Sequence, residues 1–236
     1  MPEKQTQKEE RLKEFFESHK GITWSEAVTL VNIGLDRDFY TEVSQIKTPN
    51  KITVLVNKYR QLPRDYIPAD LEQICPRYAE GELSLRQAAR VAFEAMCLEA
   101  DRENILLRAV SSFRSYEYQR QVYFKNWQQP IPLEEYQKER DKVSARPGFS
   151  EHQTGLAVDI NDLEPTFEMT QESQWLAENA YRFGFLLRYP KEKEWITGYD
   201  FEPWHYRYLG KELTEKVYFS GLTYDEYFVR CPEEFS

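Results

Sequence analysis

The sequence predicts an α+β fold in which helices pack on a small, mainly antiparallel sheet. Helices come first, followed by a strand, a long helix, another strand and a helix, and then three strands with one helix between them. This order lacks the regular β-α-β alternation of a parallel sheet. The 236 residues are 41% hydrophobic and 15% aromatic, which is typical of a globular protein with a substantial core. A formal net charge of −9 argues against binding to nucleic-acid backbones.

Two helical patterns open the chain. Residues 3–18 are rich in charge and contain neither Gly nor Pro, as expected of an exposed helix or a spacer. Thr23, followed three residues later by Glu26, has the sequence signature of a capping box that starts a second helix. We therefore expect residues 1–34 to form a helical extension or spacer, and residues 35–236 to form the main domain.

The middle of the chain contains both strand and helix patterns. The run I-T-V-L-V at 52–56 is rich in β-branched residues and predicts a buried strand. Ser84 and Gln87 resemble a capping box, and the small residues that follow predict a helix packed closely on a sheet. Residues 104–112 predict a strand, and Ser115 is placed to cap the next helix.

The second half of the chain supplies most of the predicted sheet. A helix is expected around Leu133–Val143, before a turn at A-R-P-G. The run G-L-A-V-D-I at 155–160 predicts a strand, and a helix capped by Thr170 should end at Gly184. Short strands are expected in F-L-L-R-Y-P and W-H-Y-R-Y-L, before two short helices or turns at the end of the chain.

Two of the chain's three histidines lie beside carboxylates. His152 precedes the strand that carries Asp159, and His205 follows Glu202 by three residues in E-P-W-H. Each pair alone has an ordinary explanation: a surface histidine near a hydrogen-bonded buried aspartate, and a histidine held in an aromatic cluster. A carboxylate within an apolar strand is costly to bury unless it is paired or binds a metal. Two such sites in a protein so poor in histidine favour one shared metal site.

Zinc fits this set of residues. A catalytic zinc takes three protein ligands and leaves a fourth position for water; His152, Asp159 and His205 would supply two imidazoles and one carboxylate. The residual positive charge would lower the pKa of that water toward about 7, and Glu202 could take its proton. The same ligand set also suits non-haem iron. A nearby second carboxylate acting as a base favours hydrolysis, and hence one zinc ion per chain.

Polar residues near the predicted strand ends are candidates for substrate contacts. Arg114 follows the strand predicted at 104–112, and its guanidinium could hold a carboxylate or a polarised carbonyl. A surface arginine is an equally good interpretation of this residue alone. Gln119 lies five residues further on, and Ser150 flanks the turn predicted to bind the metal. Arg188, within L-L-R-Y-P, is expected to be structural and to pair with a carboxylate.

Four motifs, in order, resemble the VanY-type D-alanyl-D-alanine carboxypeptidase family: S-x-R-S-Y-x-Y-Q, P-G-x-S-E-H-Q-T-G-L-A-V-D-I, G-F-x-L-R-Y-P and E-P-W-H-Y-R-Y-L-G. The upstream segment V-L-V-N-K-Y-R-Q-L-P-x-x-Y-I-P-x-D-L is also similar, so the resemblance extends from about Leu35 to Gly210. It implies a small α+β zinc peptidase that acts on peptidoglycan stem peptides. Residues 35–236 would then be its catalytic domain.

The resemblance also implies a role for each candidate residue. The zinc ligands would be His152, Asp159 and His205. Glu202 would be the catalytic base, and Arg114 would hold the scissile carbonyl or the developing oxyanion. Gln119 and Ser150 would contact the terminal end of the peptide.

These motifs do not decide which bond is cut. The first expectation is a D,D-carboxypeptidase that removes the C-terminal D-alanine. An L,D-carboxypeptidase that converts the stem tetrapeptide to a tripeptide is the alternative. A non-catalytic zinc module that binds cell-wall peptides is an alternative of another class, which the presence of Glu202 and Arg114 disfavours.

The family resemblance places the protein at the cell envelope or outside the cell. The N-terminus shows no secretory signal, so a cytoplasmic location also stays open. The sequence contains no apolar run of the length that spans a membrane. The only partner that the resemblance implies is the peptidoglycan stem peptide, and the sequence gives no indication of the oligomeric state.

Overall fold

Short strands form three sheets in the computed structural model, which describes residues 2–128 and 130–235. In chain order they are β1 (Ser44–Gln45), β2 (Arg60–Gln61), β3 (Leu71–Gln73), β4 (Ser84–Arg86), β5 (Ala109–Ser111), β6 (Ala157–Ile160), β7 (Phe185–Leu187) and β8 (His205–Tyr208). The central sheet has the order β5-β6-β8-β7, and all its neighbours are antiparallel. β3 pairs with β4 antiparallel, and β1 with β2 parallel. This mainly antiparallel arrangement confirms the predicted α+β fold.

Helices surround the sheets in the described part of the chain. In chain order they are α1 (Pro2–Ser18), α2 (Trp24–Ile33), α3 (Gln87–Arg102), α4 (Tyr116–Phe124), α5 (Leu133–Val143), α6 (Gln171–Asn179), α7 (Glu194–Thr197), α8 (Lys211–Ser220) and α9 (Tyr224–Arg230). The capping box of Thr23 and Glu26 forms as predicted. Thr170 caps α6, and Gly184 ends the 3-10 turn after it. None of the helices in these residues is long and apolar enough to cross a membrane.

The main core lies between α3 and the central sheet. α3 presents one apolar face to the sheet, because its buried residues recur every three or four positions. These residues are Ala89, Phe93, Met96, Cys97 and Ala100. They form one cluster with Val158 and Ile160 of β6, Phe185 of β7 and Tyr206 of β8. All four residues of β6 are buried, so this strand is a firm base for any side chain that it carries.

The N-terminal helices contact the end of the chain. α1 packs on α2, and α2 in turn packs against α9. Arg230 donates a hydrogen bond from Nε to Oγ1 of Thr29 at 2.9 Å. The cluster between α1 and α2 includes the buried residues Phe15, Ala27, Leu30 and Val31. The division of the chain at residue 34 into an extension and a main domain stays a prediction.

The prediction of a strand at 52–56 is wrong. Its last three residues are buried, but the segment is a loop. Side chains satisfy its backbone carbonyls in place of a neighbouring strand: Arg207 donates to the carbonyls of Ile52 and Val54, both at 2.8 Å, and Tyr224 donates to a third. An apolar run predicts burial, but pairing depends on partners far away in the sequence.

The capping box predicted at Ser84 is also wrong, because the helix begins at Gln87. β4 occupies the intervening residues and pairs with β3. The backbone N–H of Ser84 donates to Oγ of Ser112 at 3.0 Å, so this serine belongs to a strand contact. The strand predicted at 104–112 is shorter than expected, since Asn104 adopts a positive φ of 59° and its start lies in a turn.

Gly155, which leads into β6 at a φ of 66°, provides a test of this packing. A Cβ atom there would lie 2.8 Å from Cδ2 of Leu71 and 3.0 Å from Cγ of Arg86. We expect Gly155→Ala to lower the free energy of unfolding by about 1–3 kcal/mol, measured by urea denaturation. Gly81→Ala is the control, because its φ is also positive but its Cβ would meet nothing within 4 Å. If both variants lost the same free energy of unfolding, the effect of Gly155→Ala would come from its positive φ and not from its contacts with Leu71 and Arg86.

Candidate metal centre and active site

Asp159 and His205 lie directly opposite each other on β6 and β8. Nδ1 of His205 is 2.9 Å from Oδ1 of Asp159. His152 lies on the 3-10 helix Glu151–Thr154, which precedes β6, and its Nε2 is 3.1 Å from Oδ2 of Asp159. All three side chains are buried. The structure therefore brings together three residues that are separated by up to 53 positions in the sequence.

These three side chains could hold one metal ion. Their ligand atoms, one from each residue, all lie within 4.8 Å of one another. Two imidazole nitrogens and one carboxylate oxygen match the ligands of catalytic zinc sites, which keep a further position for water. Nε2 of His152 is buried, and although it lies 3.1 Å from Oδ2 of Asp159, it makes no well-directed hydrogen bond to a described residue. A metal ion is a natural partner for such a nitrogen, so the residues fit zinc.

The other nitrogen of each imidazole faces an oxygen atom. Nδ1 of His152 lies 2.7 Å from the carbonyl oxygen of Ser112. Nε2 of His205 lies 3.5 Å from Oε2 of Glu151. Protons on these two outer nitrogens would leave the inner nitrogens as lone-pair donors facing Asp159. Outer partners of this kind fix the orientation of metal-binding histidines.

Burial and neighbouring charges set the protonation of the three residues. Burial and the positive charge of Arg114 lower the pKa of His152 to about 4, so its ring is neutral at pH 7. Burial alone would lower the pKa of His205, but Asp159 and Glu151 raise it to about 9. Burial would raise the pKa of Asp159, yet the two histidines hold it well below its usual value. The aspartate is therefore ionised, as a metal ligand must be.

Glu202 lies beside the three candidate ligands. The backbone N–H of His205 donates to the carbonyl of Glu202 at 3.1 Å, which closes a tight turn before β8. This turn puts Oε2 of Glu202 3.8 Å from Nδ1 of His205. Burial raises the pKa of Glu202 to about 8, and the positive charge of His205 opposes that rise. A carboxyl group with a pKa near the working pH can both accept and donate a proton.

A cavity of about 390 Å³ opens over these groups. Arg114 and Ser150 lie on its wall, together with Glu202 and the three candidate ligands. The backbone N–H of Arg114 donates to the carbonyl of His152 at 3.2 Å, and its buried Nε atom has no hydrogen-bond partner among the described residues. Burial lowers the pKa of Arg114, while Asp159 and Glu202 raise it. The guanidinium is therefore positioned to receive an oxygen atom from a ligand.

Ser150 and Gln119 occupy different positions relative to this cavity. Ser150 is 3% exposed, and its Oγ accepts a hydrogen bond from the backbone N–H of His152 at 3.3 Å. Gln119 is buried behind the wall, where its Nε2 donates to the carbonyl of Ala145 at 2.7 Å. Ala145 does line the cavity. Gln119 thus supports the wall at Ala145, and its contact with a peptide stays a prediction.

A buried ionic network lies directly behind the candidate ligands, and the sequence did not predict its centre, Glu151. Oε1 of Glu151 accepts hydrogen bonds from Nε of Arg188 and Nη1 of Arg207, each at 2.9 Å. Arg188 also donates to Asp225 at 2.7 Å, and Asp225 accepts from Asn57 at 2.8 Å. Arg188 and Arg207 lie inside the apolar runs L-L-R-Y-P and W-H-Y-R-Y-L, and a charged residue in such a run indicates a buried ion pair. Their carboxylate partners lie in other parts of the chain.

The sequence also matches known proteins. Residues 82–211 match the profile of the VanY family, described as D-alanyl-D-alanine carboxypeptidase. The putative carboxypeptidase YodJ of Bacillus subtilis (strain 168) is 41% identical over 199 residues, which cover 78% of this chain and 69% of that protein.

Two solved structures are similar in fold. The structure of the LD-carboxypeptidase LdcB is 38% identical, has a TM-score of 0.72, and is matched over 80% of this chain and 91% of that chain. A mutant of the vancomycin-resistance D,D-pentapeptidase VanY, in complex with Zn(II), is 33% identical with a TM-score of 0.63, over 75% of this chain and 98% of that chain.

The buried carboxylate of Glu151 yields a prediction about stability. Burial would raise its pKa, but Arg188 and Arg207 hold it well below the usual value. A depressed pKa stabilises the folded state above the unfolded-state pKa of about 4.3, and this contribution is lost as the pH falls below that value. We expect Glu151→Gln to lower the free energy of unfolding at pH 7 by about 3 kcal/mol, since two buried arginines lose a charge partner.

The free energies of unfolding of the wild type and Glu151→Gln should become more similar as the pH falls from 5 to 3. Urea denaturation at several pH values measures both free energies. Glu215→Gln is the matched control, because Glu215 is exposed on α8, and this change should leave the free energy of unfolding within about 0.5 kcal/mol of the wild type. A constant difference between wild type and Glu151→Gln across this pH range would contradict the depressed pKa.

Proposed function

This chain belongs to the VanY family of D-alanyl-D-alanine carboxypeptidases, and we propose that it removes the C-terminal D-alanine from peptidoglycan stem peptides. It is a zinc metallopeptidase of this family, and the proposed reaction is zinc-dependent hydrolysis by a D,D-carboxypeptidase. Because the substrate belongs to the cell wall, we place its action at the cell envelope. We also propose that residues 35–236 form the catalytic domain, with residues 1–34 as an extension.

One observation carries this proposal. The buried cluster of His152, Asp159 and His205 shares a single cavity with Glu202 and Arg114. We assign the cluster as the zinc site, Glu202 as the catalytic base and Arg114 as the group that receives the scissile carbonyl oxygen. Ser150 is assigned to the peptide's terminal end. We also assign Gln119 to the peptide's terminal end. It would act there through Ala145, the cavity-wall residue whose carbonyl accepts its hydrogen bond.

Each side chain can be given a task in peptide hydrolysis. A bound zinc ion supplies Lewis-acid chemistry that polarises the peptide carbonyl and makes water more acidic. Glu202 removes a proton from the attacking water and returns it to the nitrogen of the departing D-alanine. Arg114 donates hydrogen bonds to the carbonyl oxygen as that atom gains negative charge. The N–H group turned toward Ser112 keeps His152 in the orientation that binds the metal.

An L,D-carboxypeptidase is the second candidate. The similarity to the LD-carboxypeptidase LdcB supports it, because that structure and the D,D-pentapeptidase share the same fold with this chain. Both reactions remove one terminal D-alanine and require the same zinc site, base and carbonyl-binding arginine. They differ in the stereochemistry of the residue on the other side of the cleaved bond.

Replacement of the proposed base separates turnover from zinc binding. We expect Glu202→Gln to lower kcat by about 10²–10⁴-fold while retaining zinc, because the amide cannot accept the proton. Metal analysis and hydrolysis of a pentapeptide measure the two properties. His152→Ala is the contrasting variant and should lose both zinc and activity. Substantial turnover by Glu202→Gln would reject Glu202 as the base.

Mass spectrometry of defined muropeptides distinguishes the two candidate reactions. The zinc-loaded enzyme is incubated separately with pentapeptide and tetrapeptide stems, and Glu202→Gln serves as the inactive control. The proposed D,D activity predicts that the pentapeptide loses one alanine and the tetrapeptide remains intact. Conversion of tetrapeptide to tripeptide would instead establish the L,D reaction. Cleavage of neither stem would overturn the proposed substrate and favour a zinc-containing binding module.

A further inference from the structure

Lys58 lies where two segments that line the cavity come together. One segment is the end of α5, which brings Arg140 and Val143 to the cavity; we call it the α5 wall. The other is the 199–202 wall, whose four residues all line the cavity and which ends at Glu202. Lys58 itself is only 2% exposed. Its side chain therefore lies inside the protein, where it can contact both walls.

The ammonium group of Lys58 bridges the two walls. Nζ donates one hydrogen bond to the carbonyl of Asp141 in the last turn of α5, at 2.7 Å, and another to the carbonyl of Gly198. Gly198 ends α7 and directly precedes the second wall. The backbone N–H of Asp200 also donates to the carbonyl of Lys142 at 2.8 Å. The walls are thus joined at neighbouring positions, and the two hydrogen bonds from Nζ, which we call the Lys58 bridge, form one of these connections.

The surroundings of Lys58 fit a charged side chain closely. Nζ lies 4.2 Å from the ring centroid of Tyr199 and 4.8 Å from that of Phe39, and an aromatic ring attracts a cation at such distances. Burial lowers the pKa of Lys58 to about 8, while the charge of Asp141 opposes that fall, so the amine is mainly protonated at pH 7. A Cβ atom on Gly198 would lie 2.9 Å from both Cδ and Cε of Lys58. The glycine therefore leaves the space that the lysine needs to reach both carbonyls.

A series of contacts leads from Lys58 to Glu202. The ring of Tyr199, which faces Nζ, packs against Tyr189 with 4.6 Å between the ring centroids. The carbonyl of Tyr189 accepts a hydrogen bond from the backbone N–H of Glu202 at 3.2 Å. Glu202 is also one of the negative charges that act on the Lys58 ammonium. The position of Glu202 therefore depends on where Lys58 holds the start of the 199–202 wall.

We propose that Lys58 is a positioning residue: through the Lys58 bridge it holds the 199–202 wall against α5 and so places the carboxyl group of Glu202. This inference rests on the proposed hydrolytic function and adds a residue that does not contact the substrate. The turn before β8 holds the other end of this wall, since the N–H of His205 donates to the carbonyl of Glu202 at 3.1 Å. A catalytic group displaced by about 1 Å can lower turnover by about 100-fold, so the loss of this support should lower kcat.

The experiment breaks the Lys58 bridge from both sides. Lys58→Met replaces the ammonium with an apolar end, and Gly198→Ala puts a methyl group against the lysine stem. Lys47→Met is the control for the first change, because Lys47 is exposed. Gly221→Ala is the control for the second: Gly221 also ends a helix, at a φ of 68°, but its Cβ would meet nothing within 4 Å.

The measured quantities are kcat per bound zinc and KM on the stem, pentapeptide or tetrapeptide, that the wild type cleaves. Thermal unfolding is recorded for every variant, and the rates are measured below the unfolding transition. We expect Lys58→Met and Gly198→Ala each to lower kcat by roughly 10- to 100-fold, with less than about a threefold change in KM. The double variant should stay within about threefold of the slower single variant, because both changes break the same bridge. Both controls should keep kcat within about twofold of the wild type.

A lower unfolding temperature for Lys58→Met, with kcat per bound zinc unchanged, would show that Lys58 only stabilises the fold and would overturn the proposal. Losses of kcat that simply multiply in the double variant would also overturn it. If Lys58→Met does not fold, Gly198→Ala decides: a kcat equal to that of Gly221→Ala rejects the bridge. A wild type that cleaves neither stem would instead overturn the proposed function, and this inference with it.

Discussion

The structure depends on one buried carboxylate, that of Glu151. Oε1 binds Arg188 of the segment after β7 and Arg207 of β8, and Oε2 faces the ring of His205. Arg207 extends the network to the carbonyls of the 52–54 loop. Removing charges from water is costly unless every partner is satisfied, so these groups favour a single arrangement. The 3-10 helix that carries His152 is fixed to the sheet by this network.

The sheet supplies the remaining geometry of the metal centre. Antiparallel pairing of β6 with β8 sets Asp159 opposite His205, and a one-residue shift would turn either side chain to the other face. The core under β6, made largely by α3, resists such a shift because all four strand residues are buried. Packing energy far from the cavity thus holds the candidate ligands within reach of one ion.

Different structural elements supply the negative and the positive groups of the cavity. The strands and the turn before β8 bring carboxylates and imidazoles, which suit a metal and proton transfer. The end of β5 and helix α5 bring the two guanidiniums, which suit the oxygen atoms of a peptide. In a chain with a net charge of −9, these two arginines make this part of the cavity locally positive.

The sequence by itself determined the features that depend on near neighbours and on residue chemistry. Helix caps at Thr23 and Thr170 could be predicted because both partners lie within one turn. Histidine is rare in this chain, and two of its three histidines lie near carboxylates, which predicts the three candidate ligands and Glu202. Only the tertiary structure decided the features that depend on distant partners: the 52–56 loop has carbonyl partners more than 150 residues later. The pairing of Glu151 and the approach of Arg140 to the cavity likewise need the folded chain, because no local pattern encodes a contact between separate elements.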